Sequence, residues 1–294
     1  MGMSLNEICV IAEVGCNHCG DFQFAKTFVD KLASLQGEQM VQVVKFQKRT
    51  PELILSQEEL LMPHPCPENS FGKTYGEHRA NLEFNILQHK ELKSYVESKN
   101  LVYSCSVFDW NSLDEILSLE PKMIKISSVN NTDFKMMKYL DDNYKGEIHI
   151  SLGMTTREEE RRLVNVFNNK LCDIVLYACT TNYPVSVGEI CLLEVDRLFK
   201  TYSGEIKGVG FSAHHIGYVQ DVAALALGAR YFERHFTLDK SLKGSDQFMS
   251  LDLNEISHLA QNLRMVARDL KYKKPEVLES EMFYRIKHKK TEIL

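Results

Sequence analysis

The sequence predicts a single (β/α)8 barrel, the fold also called a TIM barrel. Short apolar runs rich in valine, isoleucine and aromatic residues recur about eight times, and helical apolar spacing follows each run. Such alternation of strands and helices gives a parallel sheet, and eight parallel strands close into a barrel. The chain of 294 residues is only slightly longer than the roughly 250 residues typical of this fold.

The predicted strands are distributed along the whole chain. They are Ile8–Gly15, Gln42–Gln47, Leu101–Val107, Met123–Ser128, Glu147–Gly153, Asp173–Cys179, Gly208–His214 and Tyr231–Thr237. Two separate four-stranded α/β domains would give a similar pattern, but no linker rich in proline, glycine or serine lies near the middle of the chain. We therefore predict one barrel domain over residues 1–270. A charged tail follows over residues 271–294, either solvated or in contact with another subunit.

Composition and charge exclude several classes of protein. The formal net charge of −5 argues against a general nucleic-acid binder, because basic surfaces bind phosphate backbones. The apolar run Val222–Leu227 is too short to cross a membrane, and the N-terminus lacks a signal-peptide pattern. Several of the eight cysteines lie in predicted buried strands, so we expect reduced thiols. The expectation is a cytoplasmic protein that binds neither nucleic acid nor membranes.

Two lysines lie inside apolar strands, near the strand ends. Lys45 occurs in the run Val-Val-Lys-Phe and Lys125 in the run Met-Ile-Lys-Ile. A buried lysine needs an anionic partner to offset its desolvation. For either lysine alone, a core carboxylate such as Glu13 is as good an explanation as a ligand. Two lysines at equivalent strand ends favour an anionic ligand.

Four serines also fall at the ends of predicted strands: Ser106, Ser128, Ser151 and Ser212. Each serine alone is explained by a turn or by a helix cap. As a set beside two lysines, their hydroxyls can orient a phosphate while the lysines neutralise its charge. The set predicts a site for a small phosphorylated acid.

Two histidines end the last two predicted strands, which are neighbours in a closed barrel. His214 and His235 can therefore converge on a divalent metal ion and leave positions open for substrate and water. The structural alternative is that each histidine is an ordinary hydrogen-bonded residue. His215 is an alternative to His214 as the first ligand.

Six motifs occur in a fixed order along the predicted barrel. They are Ile11–Asp21 (IAEVGCNHCGD), Val44–Gln47 (VKFQ), Gly72–His78 (GKTYGEH), Phe211–His214 (FSAH), Glu233–Lys240 (ERHFTLDK) and Lys243–Asp246 (KGSD). Together they resemble the sialic acid synthase, or N-acetylneuraminate synthase, family. The GKTYGEH motif and the following Asn81–Phe84 look closest to the animal-type members.

The resemblance implies a reaction. The family condenses phosphoenolpyruvate with N-acetylmannosamine, or with its 6-phosphate in animal-type members, forming a sialic acid-type nonulosonate and releasing phosphate by cleavage of a C–O bond. The phosphoenolpyruvate ligands that it implies are Lys45, Ser106, Lys125, Ser128, Ser151 and Ser212. The sugar ligands that it implies are Gln47, Tyr183 and Asp246. The metal, Mn2+ or Mg2+, would bind His214 and His235. The implied catalytic residues are Glu13, Glu233 and Lys45.

Three features depart from the family pattern. Members commonly carry a C-terminal antifreeze-like (SAF) domain that contributes an arginine to a partner's sugar site, whereas this sequence ends at Leu294, so we expect a barrel that lacks that domain. The Gly-Ser-Gly-acid segment of the family reads Ser127–Asn130 here, which replaces a carboxylate with an amide. The Asn-x-Tyr-Pro pattern is altered in Thr180–Pro184. A homodimer is suggested by the resemblance alone.

Three functions are consistent with these observations. The first, which we favour, is the synthase reaction on small-molecule substrates. The second is a metal-dependent aldolase-type barrel with another acceptor, which would release no phosphate. The third is a non-catalytic barrel that binds a sugar, a phosphate or a partner. The segment Lys48–Glu77 either covers the barrel mouth or packs on a neighbouring subunit.

Overall fold

A computed structural model describes residues 8–167 and 172–289 and contains a closed barrel of eight parallel strands in chain order. The strands are β1 (Cys9–Gly15), β2 (Val43–Lys48), β3 (Val102–Val107), β4 (Met123–Ile126), β5 (Glu147–Ser151), β6 (Asp173–Cys179), β7 (Gly208–Ala213) and β8 (Tyr231–His235). The predicted fold class is confirmed. The ends of the predicted domains, residues 1–7 and 290–294, lie outside the described residues.

Helices surround the barrel and connect its strands. Over the described ranges they are α1 (Phe22–Ala33), α2 (Pro51–Ile54), α3 (Gln57–Leu61), α4 (Tyr75–Asn81), α5 (Ile86–Ser98), α6 (Trp110–Leu117), α7 (Phe134–Asn143), α8 (Arg157–Val166), α9 (Leu193–Tyr202), α10 (Val219–Ala226), α11 (Leu253–Asp269) and α12 (Glu279–His288). Capping boxes begin several helices, among them α5, α8 and α11. None of the described helices combines the length and apolar composition needed to cross a lipid bilayer.

The strands separate two apolar clusters of unequal size. The larger cluster fills the space between the strands and the surrounding helices. The smaller lies inside the barrel and comprises Ile11, Val43, Met123, Val175 and Tyr177. Side chains alternate across a strand, so the residues two positions further along β1, β2 and β4 also point inward. Above the small apolar cluster, the barrel interior is therefore charged and hydroxylated.

The parallel register aligns these inward residues. Glu13 is paired in register with Lys45 on one side and with His235 on the other. Ser106 is aligned with Lys125, and Gln47 with Ser106. The pairing of β7 with β8 aligns Ser212 with Glu233. Residues that are far apart in sequence thus meet at one end of the barrel.

Two segments lie outside the eight-fold pattern. Residues 49–85 connect β2 to α5 and contain the short helices α2, α3 and α4. The tail contains α12, which exposes Met282, Phe283, Tyr284 and Ile286 to solvent. The two alternatives for this tail, solvation and contact with another subunit, both stay predictions.

Candidate active site

A cleft opens at the C-terminal ends of the strands, where active sites of such barrels lie. This inner cleft is lined by each residue predicted to bind phosphoenolpyruvate: Lys45, Ser106, Lys125, Ser128, Ser151 and Ser212. It is also lined by Glu13, Gln47, Tyr183, His214, Glu233 and His235. The remaining predicted residue, Asp246, lines an adjoining outer cleft.

Lys45 is 3% exposed and is surrounded by oxygen atoms. Its Nζ lies 2.6 Å from Glu13 Oε2 and donates to Ser106 Oγ at 2.7 Å. Glu233 Oε1 is 3.7 Å away. The sequence left a core carboxylate and an anionic ligand as alternatives for this lysine, and the structure shows that Glu13 is a partner. A ligand that binds Lys45 must therefore share it with Glu13.

Lys125 has the second buried ammonium group of the inner cleft. It donates to Ser151 Oγ at 2.6 Å and lies 3.3 Å from Glu233 Oε1. Glu233 also accepts a hydrogen bond from Ser212 Oγ at 3.2 Å. Glu233 Oε1 thus joins Lys125, Lys45 and a serine hydroxyl in one network at the base of the cleft.

Burial and charge affect the two lysines differently. Burial acts to lower the pKa of Lys45, but the carboxylates of Glu13 and Glu233 outweigh it and the net shift is upward. Burial lowers the pKa of Lys125, and Glu233 offsets this only in part. Burial also opposes ionisation of Glu233, yet the two lysines keep its pKa below the usual value. The neighbouring carboxylates therefore offset the burial of Lys125 less completely than the burial of Lys45.

Gln47 links the inner cleft to Arg49. Its Nε2 donates to Glu13 Oε1 at 2.7 Å, while its Oε1 accepts a hydrogen bond from Arg49. Arg49 is 5% exposed and forms an ion pair with Glu83, with Nε 3.3 Å from Oε1. Glu13 is thus held on both oxygens, one by Lys45 and one by Gln47, which fixes the orientation of its carboxylate.

The wall formed by the ends of β4, β5 and β6 is tightly packed. Ser128 Oγ accepts the backbone N–H of Gly153 at 3.1 Å. A Cβ atom on Gly153 would lie 2.0 Å from Thr181 Oγ1, so only glycine fits at this position. Thr181 lines the cleft, and its buried Oγ1 has no hydrogen-bond partner among the residues that the structure describes. The hydrogen-bonding capacity of this hydroxyl is therefore unused.

His214 and His235 lie side by side at the ends of the neighbouring strands β7 and β8, with ring centroids 5.7 Å apart. Burial, and then the neighbouring His235, lowers the pKa of His214 to about 3, so its imidazole is neutral at physiological pH. His235 Nδ1 is buried, and no described residue forms a hydrogen bond with it. The Tyr183 ring packs against His214 at 4.2 Å. Among the described residues, no group of three or more His, Cys, Asp and Glu side chains forms a metal site.

The structure distinguishes His214 from its neighbour His215. His215 Nε2 lies 3.4 Å from Asp221 Oδ2, beside the buried Arg234. Arg234 forms an ion pair with Asp221 at 2.5 Å and donates to the backbone carbonyls of His215 and Gly217. His215 therefore belongs to a network behind the strand, whereas His214 faces the cleft.

The outer cleft continues the inner one toward solvent. It is bounded by α2 and α4 and contains Arg49, Arg79, His64, His78 and Asp246. Burial, followed by the nearby His64, Arg79, Arg49 and Lys243, lowers the pKa of His78 to about 4. Segment Lys48–Glu77, predicted either as a cover or as a subunit contact, contributes Ile54, Leu55, Pro65, Phe71 and Tyr75 to its wall.

Sequence reasoning missed several residues of this region. Arg49 lies two positions after Gln47. A charged residue just beyond the end of a predicted strand is a signal that could have placed it near the cleft. Thr181 was considered only as part of an altered motif. Arg79 is an unremarkable helix residue in sequence, and its place in the outer cleft depends on how segment 49–85 folds.

Comparison with known proteins assigns the chain to a family. The sequence model of the NeuB family matches residues 34–274. The chain belongs to the NeuB family. N-acetylneuraminate-9-phosphate synthase of Homo sapiens is 32% identical over 275 residues, covering 93% of this chain and 74% of that protein. N,N'-diacetyllegionaminic acid synthase of Campylobacter jejuni is 30% identical over 262 residues, covering 88% of this chain and 76% of that protein.

Structural comparison agrees on the fold. The chain matches the crystal structure of N-acetylneuraminic acid (sialic acid) synthetase from Leptospira borgpetersenii in complex with citrate, with a TM-score of 0.80. The match covers 97% of this chain and 93% of that chain, and the two sequences are 24% identical. The resemblance to sialic acid synthases is confirmed, and this NeuB-family chain is an enzyme of the sialic acid and nonulosonate synthase group.

Proposed function

We propose that this NeuB-family enzyme condenses phosphoenolpyruvate with an N-acylated amino sugar and releases inorganic phosphate. The observation that carries the proposal is the pair of buried ammonium groups, Lys45 and Lys125, each donating to the hydroxyl of a serine at the next strand end. A phosphate ester that enters the inner cleft meets two cations and several hydroxyl donors in a site shielded from water.

The charge balance of the inner cleft favours joint binding of an anion and a divalent cation. Lys45 and Lys125 are compensated by Glu13 and Glu233, so the four formal charges cancel. A phosphoenolpyruvate anion alone would leave excess negative charge in a poorly solvated site. A divalent cation that enters with it offsets most of that negative charge.

His214 and His235 fit such a cation. Both imidazoles face the cleft, His214 is neutral, and the buried Nδ1 of His235 has no hydrogen-bond partner within the described part of the chain. Two imidazoles, with water and substrate oxygens as further ligands, bind Mn2+ or Mg2+ less tightly than softer ions, so affinity depends on the substrate. When bound, the ion would polarise the aldehyde oxygen of the open-chain sugar.

The proposed reaction forms one C–C bond and breaks one C–O bond. The enol carbon of phosphoenolpyruvate attacks the sugar aldehyde, and positive charge develops at the carbon that bears the phosphate ester. Water adds to that carbon and loses a proton to a carboxylate, for which Glu13 is the candidate because Lys45 and Gln47 fix its orientation. The tetrahedral intermediate expels inorganic phosphate, whose charge Lys45 and Lys125 stabilise.

The outer cleft is the proposed acceptor site. It adjoins the inner cleft at Gln47 and Tyr183, and it contains Asp246. Arg79 donates to the Tyr75 hydroxyl at 2.6 Å, and no carboxylate of the described residues forms an ion pair with it, so its charge can attract an anion. We propose that a phosphorylated acceptor places its phosphate near Arg79, with the cationic surroundings of His78 as support.

Asn130, where the family has a carboxylate, bridges two loops. Its Nδ2 donates to the Phe108 carbonyl at 3.1 Å, and its Oδ1 accepts from Ser127 Oγ at 3.3 Å. The amide therefore has a structural role that does not need an acid. Retention of both lysines, Glu13 and both histidines in one cleft favours the synthase over a non-catalytic barrel.

Phosphate release tests the proposal. The purified enzyme is incubated with phosphoenolpyruvate and Mn2+, with N-acetylmannosamine, its 6-phosphate or no sugar, and product mass is recorded. Sugar-dependent phosphate with a nonulosonate mass supports the synthase. Condensation that uses pyruvate and releases no phosphate would instead support an aldolase-type reaction. A homodimer, expected from the resemblance, is tested on the same sample by analytical ultracentrifugation.

A further inference from the structure

A column of three side chains runs inside the barrel beneath the inner cleft. This interior column consists of Glu147, His149 and Tyr177. Glu147 begins β5 at the opposite end of the barrel, while His149 and Tyr177 are 1% and 0% exposed. None of the three lines the inner cleft. The proposed reaction therefore leaves the buried polar groups of His149 and Tyr177 without a role.

Hydrogen bonds connect the column from end to end. His149 Nε2 lies 3.2 Å from Glu147 Oε2, and His149 Nδ1 lies 2.6 Å from the Tyr177 hydroxyl. Burial lowers the pKa of His149 and thereby favours the neutral imidazole, which has one N–H donor. The carboxylate can only accept, so Nε2 carries the hydrogen and Nδ1 accepts the Tyr177 O–H. The column thereby fixes the position of the tyrosine ring.

The opposite wall is shaped to hold the ring. Tyr177 on β6 is aligned with Gly210 on β7, and a Cβ atom on Gly210 would lie 2.4 Å from the tyrosine ring. Glycine at this position leaves the space that the ring fills. The ring is therefore held by Gly210 from the side and by His149 at its hydroxyl.

The held ring contacts Lys125. Lys125 Nζ lies over the Tyr177 ring, 5.2 Å from its centroid, within the range of a cation–π interaction. Nζ also contacts Ser151 and Glu233. Three different groups thus fix the ammonium from below and from the sides, which leaves its approach from the cleft to the ligand.

We propose that the interior column is a positioning device that holds Lys125 in the orientation needed to bind the phosphate of phosphoenolpyruvate. This inference rests on the proposed function, since it assigns Lys125 to phosphoenolpyruvate. Tyr177 is the positioning residue, because its ring faces the ammonium, and His149 acts through Tyr177. Loss of the ring lets Nζ move away from the cleft and weakens binding of phosphoenolpyruvate more than binding of the sugar.

A second buried tyrosine–histidine pair provides a matched control. Tyr103 on β3 is 1% exposed, and its hydroxyl lies 2.8 Å from His89 Nδ1. This pair belongs to the apolar layer outside the barrel and has no lysine over its ring among the contacts of the described residues. Substitutions at Tyr103 therefore reproduce the loss of packing without the effect on Lys125.

The experiment compares Tyr177→Leu and Tyr177→Phe with Tyr103→Leu and Tyr103→Phe. Calorimetry gives the Kd of phosphoenolpyruvate, steady-state kinetics give KM for each substrate and kcat, and thermal unfolding reports stability. We expect Tyr177→Leu to weaken phosphoenolpyruvate binding about tenfold through loss of the cation–π contact. Tyr177→Phe, which keeps the ring but loses the hydrogen bond, should weaken it about threefold. The Tyr103 variants should lose stability without this selective effect.

The outcomes separate this inference from the proposed function. A wild-type enzyme that neither binds phosphoenolpyruvate nor releases phosphate with any sugar overturns both. A wild-type enzyme that turns over, together with an unchanged phosphoenolpyruvate Kd in folded Tyr177→Leu, overturns the positioning role alone. Equal increases in both KM values, matched by Tyr103→Leu, also overturn it, because they indicate general loosening of the barrel. If Tyr177→Leu does not fold, Tyr177→Phe decides by the same comparison.

Discussion

Lys45 and Glu13 form a buried ion pair, with Nζ 2.6 Å from Oε2. The two residues are aligned in the parallel pairing of β1 with β2. Both residues are less than 5% exposed. Gln47 donates a hydrogen bond to the other oxygen of Glu13 at 2.7 Å, so both carboxylate oxygens have a partner. The carboxylate is thereby presented in one orientation to the substrates.

Glu13→Gln should separate catalysis from binding. If Glu13 accepts the proton of the attacking water, kcat should fall by about a hundredfold or more. Phosphoenolpyruvate binding should hold or improve, because Lys45 loses its competing carboxylate. Glu115→Gln is the control, since Glu115 pairs with Lys48 at 3.1 Å outside the inner cleft. An unchanged kcat in Glu13→Gln would remove Glu13 from the catalytic role.

His235→Gln should impair metal binding. We expect Mn2+ affinity, measured by electron paramagnetic resonance in the presence of phosphoenolpyruvate, to fall at least about tenfold. His258→Gln is the control, because His258 is exposed on α11. Equal Mn2+ affinity in the wild type and His235→Gln would argue that the ion binds elsewhere.

Asp221→Asn should destabilise the fold more than it alters the chemistry. Asp221 is 0% exposed and neutralises Arg234, which is 1% exposed. Leaving a buried charge without its partner costs about 3–5 kcal/mol. Chemical denaturation measures the change. Asp196→Asn is the control, because the half-buried Asp196 pairs with the exposed Lys200 and such a pair is worth about 1 kcal/mol or less. Similar losses in the two variants would contradict the assigned importance of the Arg234 network.

Arg79→Met should reduce the preference for a phosphorylated acceptor. A hydrogen bond to a charged group contributes about 1.5–3 kcal/mol, so the ratio of kcat/KM for the sugar phosphate to that for the free sugar should fall by roughly tenfold or more. Arg162→Met is the control, because Arg162 lies on α8 and stacks on Phe134. An unchanged ratio would place the acceptor phosphate elsewhere.

The contribution of Glu147 to the free energy of unfolding should depend on pH. Its hydrogen bond to His149, with Lys207 as a further partner, outweighs burial and lowers its pKa from 4.5 to about 2. A lowered pKa stabilises the folded state above the unfolded value and loses that contribution as the pH falls through the folded value. Glu147→Gln should thus be less stable than the wild type near neutral pH, and the difference should shrink between pH 4.5 and about 2. A difference that is independent of pH would contradict this account.

The strands were predictable because their apolar runs are short and periodic. Predicted strand β6, Asp173–Cys179, agrees with the structure at both ends. Predicted strand β4 extended to Ser128, whereas the structure ends it at Ile126. The difference arises because Ser127 and Ser128 continue the polar pattern but belong to the turn that follows the strand.

The contacts within the site were less predictable. The positions of Lys45 and Lys125 near strand ends predicted that both lie in the same cleft. The sequence did not predict which carboxylate forms an ion pair with each lysine. The choice between His214 and His215 depends on Arg234, which attracts His215 away from the cleft. Tyr177 lies within an apolar run, so its contact with Lys125 is visible only in three dimensions.

The most direct test of the proposed reaction follows the bridging oxygen of phosphoenolpyruvate. The enzyme is supplied with phosphoenolpyruvate labelled with 18O between carbon and phosphorus, together with Mn2+ and N-acetylmannosamine or its 6-phosphate. Addition of water at the carbon predicts sugar-dependent release of phosphate that retains the label, alongside a nonulosonate product. Absence of sugar-dependent phosphate, or label retained in the organic product, would contradict the account.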